Sequence, residues 1–125
     1  MLTVPRKLLI TDDDANLRET LKMVFEPVGL DLYTAQDGLE TLEIVASNDI
    51  DCLLMDVHMP RLGGLEALRL LHSRTKRQIP CILMSAQFDE EIVKAAEAAQ
   101  VFDMLPKPLN LCKLRNLVLR AIGVA

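Results

Sequence analysis

Lys7-Leu8-Leu9-Ile10-Thr11-Asp12-Asp13-Asp14 is a short hydrophobic run that stops at three consecutive carboxylates. The same pattern returns at Cys52-Leu53-Leu54-Met55-Asp56 and, with an ammonium group in place of an acid, at residues 101–105 followed by Pro106 and Lys107. Each run is long enough for a buried strand and too short for a helix. In an open parallel α/β sheet, ligands bind beyond the carboxyl ends of the strands, so charged groups at several strand ends converge on one place.

Between these runs the apolar spacing changes from strand-like to helical. The first strand is expected over 8–11, after an N-terminal tail of residues 1–6, and Leu17, Leu21, Val24 and Phe25 then mark a helix that Pro27 and Gly29 stop. A second strand is expected over 30–34. Asp37-Gly38 is a turn signal, and Leu39, Leu42, Ile44 and Val45 form the next amphipathic helix. The third strand, 52–55, is continuously apolar, as a strand covered on both faces is. Leu65, Leu68, Leu70 and Leu71 mark a helix beginning after Gly63-Gly64, and Pro80 opens a fourth strand over 81–84 that runs into Ser85. A helix through Ile92, Val93, Ala95, Ala96 and Ala99, a fifth strand over 102–105 and a last helix through Leu111, Leu114, Leu117, Val118 and Ile122 complete the chain. This alternation predicts a parallel sheet with right-handed crossovers and helices on both faces.

Composition narrows the function. A chain of 125 residues with 50% apolar content fits one compact domain, and three Phe, one Tyr and no Trp leave the core to aliphatic side chains. One domain over 1–125 with no output domain is expected. A net charge of -4 disfavours a general affinity for nucleic acid, and the cluster Arg74, Lys76 and Arg77 reads as a solvated helix end. Cys52, Cys81 and Cys112 show neither metal-ligand spacing nor a disulfide pattern, and no apolar stretch is long enough to span a bilayer. A cytoplasmic protein without membrane contact is expected.

Three acidic side chains in one pocket repel each other, which raises their pKa values unless a cation is present. A divalent ion together with Lys107 would neutralise Asp12, Asp13 and Asp56. Carboxylate oxygens completed by water are what Mg²⁺ prefers, with Mn²⁺ as a substitute. Mg²⁺ and a lysine beside a carboxylate suggest phosphoryl transfer, with Asp56 as nucleophile because it stands alone while Asp12 and Asp13 form a pair. Acids at strand ends also cap helices, a role open to Asp12 or Asp14.

The segments 8–14, Met55-Asp56-Val57-His58-Met59-Pro60 with Gly63-Gly64, Leu83-Met84-Ser85-Ala86 and Lys107-Pro108 together resemble the four signature segments of bacterial response-regulator receiver domains, in order and over nearly the whole chain. The resemblance implies a flavodoxin-like, doubly wound (βα)5 three-layer sandwich with sheet order 2-1-3-4-5. It implies that Asp56 accepts a phosphoryl group from a phosphohistidine on a sensor histidine kinase or histidine phosphotransfer protein. It further implies that Asp12, Asp13, Asp56 and the His58 backbone carbonyl hold Mg²⁺, that Ser85 and Lys107 bind phosphoryl oxygens, and that the Lys107-Pro108 bond is cis. His58 and Gln87 occupy positions that tune attack by water, or are merely exposed, and His72 reads as a surface residue. A homodimer through the face of the fourth helix, fifth strand and fifth helix is a further implication.

Two features depart from the family pattern. Ser85 and Met104 stand at the switch positions, but Met104 replaces the usual Tyr or Phe, and Phe102, on the same face by strand alternation, is a candidate substitute. Ala98-Ala99-Gln100-Val101 also lacks the usual glycine, so its turn is expected to close in a conformation open to ordinary residues. Two other functional classes fit less well. A phosphorylation-independent interaction module would not need the full set of acids and lysine, and an aspartate-nucleophile phosphatase would carry a second Asp where His58 stands.

Overall fold

The computed structural model describes residues 4–123, and its sheet has five parallel strands in the order β2-β1-β3-β4-β5. The strands are β1 (Lys7–Thr11), β2 (Asp31–Ala35), β3 (Cys52–Asp56), β4 (Cys81–Ser85) and β5 (Asp103–Pro106). The helices are α1 (Ala15–Phe25), α2 (Gly38–Ser47), α3 (Gly64–Arg74), α4 (Glu90–Ala98) and α5 (Leu111–Ala121), with a 3-10 turn over Glu26–Val28 where Pro27 ends α1. The expected doubly wound fold and strand order are both present.

Period-two alternation divides the core between the two faces of the sheet. Leu9, Leu53, Met55 and Leu83 point to one side and pack with Leu42 of α2, Ala67, Leu68 and Leu71 of α3, and Ala96 of α4. Leu8, Ile10, Leu54, Ile82 and Met84 point to the other, where Leu21 and Phe25 of α1 and Leu114, Leu117 and Val118 of α5 cover them. Every residue of β3 and β4 is buried, as expected for central parallel strands. Cys52 and Cys81 are free and buried, and burial pushes the Cys52 thiol up to about 12.

Strand ends differ from the sequence reading by one residue. β2 begins at Asp31, whose N–H donates to the Arg6 carbonyl, and β5 extends to Pro106, which an edge strand tolerates because that side needs no ladder donor. Four of the five helix starts have a side-chain cap: Asp14, Asp37, Asp89 and Asn110 accept backbone N–H groups at the starts of α1, α2, α4 and α5. Asp14 therefore takes the capping role that was open to Asp12 as well. Asp37 is a cap rather than only a turn residue. Arg74 and Lys76 are exposed as expected, while Arg77 pairs with Asp51 at 3.0 Å.

The expected ordinary turn after α4 is corrected. Gln100 adopts φ 57°, in the left-handed region, because its N–H bonds the Glu97 carbonyl while the Val101 N–H reaches the Ala96 carbonyl. This pair of bonds satisfies the last carbonyls of α4 and demands a left-handed residue whether or not it is glycine. Exposed Gln100 carries the steric cost of its Cβ, about 1 kcal/mol. Gln100→Gly should therefore stabilise the domain by roughly 0.5–1 kcal/mol in urea denaturation. Unchanged or reduced stability would contradict this account of the turn.

Candidate functional site

β1 and β3 are neighbours, but the chain visits β2 on the far side of β1 between them, so a crevice opens beyond their carboxyl ends. Asp12 lies immediately beyond β1, fixed by its N–H bond to the Ala35 carbonyl at 3.1 Å. Its side chain is fully buried: one carboxylate oxygen accepts the Asp14 N–H at 2.9 Å, the other the Lys107 Nζ at 2.7 Å. Asp56 is the last residue of β3 and only 6% exposed, whereas Asp13 is exposed at the rim. Lys107 follows β5, its N–H bonded to the Ser85 carbonyl at 2.8 Å and its peptide bond to Pro108 cis. The Lys107 ammonium also stands 3.6 Å from Asp56. Asp12, Asp13 and Asp56 each present a carboxylate oxygen, all within 4.8 Å of one another.

The electrostatics follow from this crowding. Burial, and then the negative charge of Asp12, push the Asp56 carboxyl above its ordinary range, with Asp13 adding to the rise and Lys107 opposing it. Burial alone would lower the Lys107 pKa, but the hydrogen bond and charge of Asp12, reinforced by Asp56, raise it overall. One ammonium does not neutralise three carboxylates, and an all-oxygen donor set with one member at the solvent edge suits a hard divalent cation that retains water.

The remaining candidate residues are distributed unevenly. Ser85 is buried at the end of β4, next to the strand that carries Asp56, but its hydroxyl donates to the Gln87 carbonyl at 2.9 Å and accepts the Gln87 N–H at 3.1 Å. His58 is exposed in the loop after β3. That loop is held on either side by bonds from the Val57 N–H to the Met84 carbonyl and from the Gly64 N–H to the Val57 carbonyl. Met104 is half-buried opposite Leu83 and packs on the apolar cluster that contains Ala96. Phe102 does not substitute for it. Its N–H bonds the Cys81 carbonyl at the opposite end of the sheet, and its ring is 41% exposed beside Ala99 and Gln100, remote from the strand ends that carry the acids.

Several contributors went unrecognised in the sequence. Arg18 of α1 donates to the Asp12 carbonyl at 2.6 Å, and an arginine one helical turn past a cap gives no sign of that contact. Arg61 binds Asp37 across the β3–α3 loop, both nitrogens 2.7 Å from one carboxylate oxygen. Burial acts to raise the Asp37 pKa, but the Glu40 N–H and the Arg61 guanidinium outweigh it and hold the carboxyl below its usual value. Gly64 is the legible case: a Cβ there would collide with the Asp56 carbonyl, so α3 can start this close to the acid only from glycine.

A crevice at the switch point of a 2-1-3-4-5 sheet, lined by acids from two strand ends and a lysine from a third, defines a receiver-type α/β domain. Residues 8–119 match the response regulator receiver domain family. The response regulator MprA of Mycobacterium sp. (strain KMS) is 38% identical over 111 residues, covering 89% of this chain and 48% of that protein. The DNA-binding transcriptional regulator NtrC of Escherichia coli is 36% identical over 114 residues, covering 91% and 24% respectively. The chain thus spans about half or less of the length of these curated relatives. Among solved structures, the Francisella response regulator 1452 receiver domain superposes with a TM-score of 0.83 at 29% identity, covering 93% of this chain and 96% of that one. The chemotaxis response regulator CheY4 of Vibrio cholerae shares the fold at a TM-score of 0.86 and 24% identity, covering 94% and 99%. The chain belongs to the response regulator receiver domain family.

The charge crowding has a measurable consequence. A carboxyl whose pKa is raised by folding favours the folded state below its unfolded value of about 3.9, and that contribution is lost as pH rises through the higher folded value. Asp56→Asn should therefore raise the melting temperature of the metal-free protein at pH 7, with the gain shrinking to nothing as pH falls toward about 4. Lys107→Met should act oppositely, costing about 3 kcal/mol in urea denaturation because Asp12 is left buried without its cation. A lower melting temperature for Asp56→Asn at pH 7 would contradict this electrostatic account.

Proposed function

We propose that the domain accepts a phosphoryl group on Asp56 from a phosphohistidine of a sensor histidine kinase or phosphotransfer protein, in a Mg²⁺-dependent reaction. The observation that carries this reading is the convergence of Asp12, Asp13 and Asp56 within 4.8 Å, with the Lys107 ammonium 2.7 Å from Asp12 and 3.6 Å from Asp56. An Asp56 carboxylate oxygen attacks phosphorus, the phosphorus–nitrogen bond breaks, and the histidine nitrogen leaves with the electron pair. The product is an acyl phosphate, which water later cleaves by attack at phosphorus to regenerate the carboxylate.

In this proposal Asp12, Asp13, Asp56 and the His58 carbonyl hold the ion, with Mn²⁺ an acceptable replacement. The ion supplies positive charge against the equatorial phosphoryl oxygens. Lys107 binds one of those oxygens. Ser85 binds another by turning its hydroxyl away from the Gln87 carbonyl, which ties the β4–α4 loop to the phosphorylation state. That movement reaches Met104 through the neighbouring β5, and the face built from α4, β5 and α5 is the surface assigned to homodimerisation or output. No nucleic-acid contact is assigned to this domain, and a cytoplasmic location follows from the phosphodonors proposed.

Incubation with acetyl phosphate and Mg²⁺ should add one phosphoryl mass to the protein, and chelation by EDTA should prevent it. Asp56→Asn should abolish the addition. Continued labelling of that variant at the same rate would overturn the assignment of the acceptor.

A further inference from the structure

Thr41 lies in the first turns of α2, fully buried, with its hydroxyl 3.0 Å from the Asp37 carbonyl and 2.8 Å from the Thr11 hydroxyl. A hydroxyl has one proton and a carbonyl none, so Thr41 donates to Asp37 and Thr11 must donate to Thr41. Thr11 is equally buried and is the last residue of β1, directly before Asp12. The same Asp37 whose carbonyl ends this chain of bonds binds Arg61 through its carboxylate, and Arg61 belongs to the loop that follows Asp56 and His58.

The Asp37–Arg61 contact is as closely determined as the Thr11–Thr41 contact. Asp37 is 2% exposed, so loss of Arg61 would leave a carboxylate buried without its cation. Arg61 is held at φ 66°, a left-handed conformation disfavoured by its Cβ that the two 2.7 Å contacts to Asp37 offset. Beside it, the Gly38 N–H donates to the Leu62 carbonyl at 2.9 Å, and a Cβ on Gly38 would come within 2.6 Å of that oxygen. α2 and the β3–α3 loop therefore meet backbone to backbone. The end of β1, one residue before the Asp12–Asp13 loop, and the loop beyond β3 are distant in sequence, yet both are bonded to the start of one helix.

We propose that Thr41, Asp37 and Arg61 are positioning residues, forming with Thr11 a bracket that sets the Asp12–Asp13 loop and the loop after Asp56 in one joint geometry. The inference rests on the reading of those acids as a cation-binding phosphoacceptor site, and none of the bracket residues contacts the reacting atoms. Displacing the β1 end breaks a bond between two buried hydroxyls, and displacing the β3–α3 loop draws a half-exposed guanidinium away from a buried carboxylate, so the two loops move together. Arg61 is consequently a remote determinant of how tightly the site holds its cation.

The experiment uses the intact chain with Arg61→Ala, Thr41→Val, the double variant and Arg61→Lys. Mg²⁺ affinity is measured by titration calorimetry, and amide resonances are measured without metal. Each of the first two substitutions should weaken Mg²⁺ binding about 3- to 10-fold, less than the about 10- to 100-fold typical of groups bonded directly to a metal ligand. The double variant should be no weaker than the worse single one, because either break opens the same bracket. Arg61→Lys, which keeps the charge but loses the fork, should fall between Arg61→Ala and the unsubstituted protein, and it serves if the alanine variant does not fold. In the metal-free Arg61 variant the amide resonances of residues 11–13 should shift.

Shifts confined to residues 37–41 and 57–64, with Mg²⁺ affinity within twofold of the unsubstituted protein, would overturn the bracket and leave the phosphoacceptor reading standing. Shifts at residues 11–13 in a protein that takes up no Mg²⁺ would support the bracket and remove the cation-site reading instead.

Discussion

The contact between Lys107 and Asp12 is the constraint around which the rest of the site is arranged. Asp12 is fully buried, and a bare carboxylate in that position would cost several kcal/mol. The ammonium that relieves the cost comes from a residue 95 positions later, and the pair requires β1, β3, β4 and β5 to lie side by side in that order. It leaves charge unbalanced, because Asp13 and Asp56 stand within reach of the same small volume. The domain thus folds with one cation of its own and a remaining excess of negative charge directed at the solvent edge, an arrangement primed for a second, exchangeable cation.

The architecture around the pair provides rigidity where the charges need it and freedom elsewhere. β1, β3 and β4 lie in the middle of the sheet under two apolar layers, so Asp12, Asp56 and Ser85 leave fixed backbone. The loops beyond them are stiffened individually by Asp14 capping α1, by Gly64 packed against the Asp56 carbonyl and by Arg18 on the Asp12 carbonyl. Ser85 is the exception, its hydroxyl held only by the backbone of Gln87 two residues away. Under the proposed function, that local bond is the one exchanged for a phosphoryl oxygen, which would place the adjustable element on the side of the site that adjoins β5 and Met104.

Much of this was legible from residue order because strands and helices announce themselves locally. Hydrophobic runs of strand length, their alternation with helical spacing, and acids or a lysine at the run ends located the three-layer fold, Asp12, Asp13, Asp56 and Lys107. The structure departs from residue order where backbone hydrogen bonding or contacts distant in sequence set the conformation. Gln100 adopts a left-handed conformation that its type disfavours, because the unsatisfied carbonyls of α4 require it. Phe102 was a reasonable substitute by strand alternation, but β5 begins after it and puts it at the wrong end of the sheet. Asp37 looked like turn chemistry, and only the folded chain pairs it with Arg61, 24 residues away.

By itself, the order of residues determined which segments become strands, which faces they bury and which charged groups stand at their carboxyl ends, since each of these follows from local periodicity and from the cost of burying polar atoms. Only the tertiary structure decided which of those groups touch. The partnership of Lys107 with Asp12 ahead of Asp56, the retention of the Ser85 hydroxyl by its own loop, and the linkage of two loops through Thr41 and Asp37 are all matters of ångströms. Hydrogen bonds and ion pairs are selected at that scale, and no spacing along the chain encodes it.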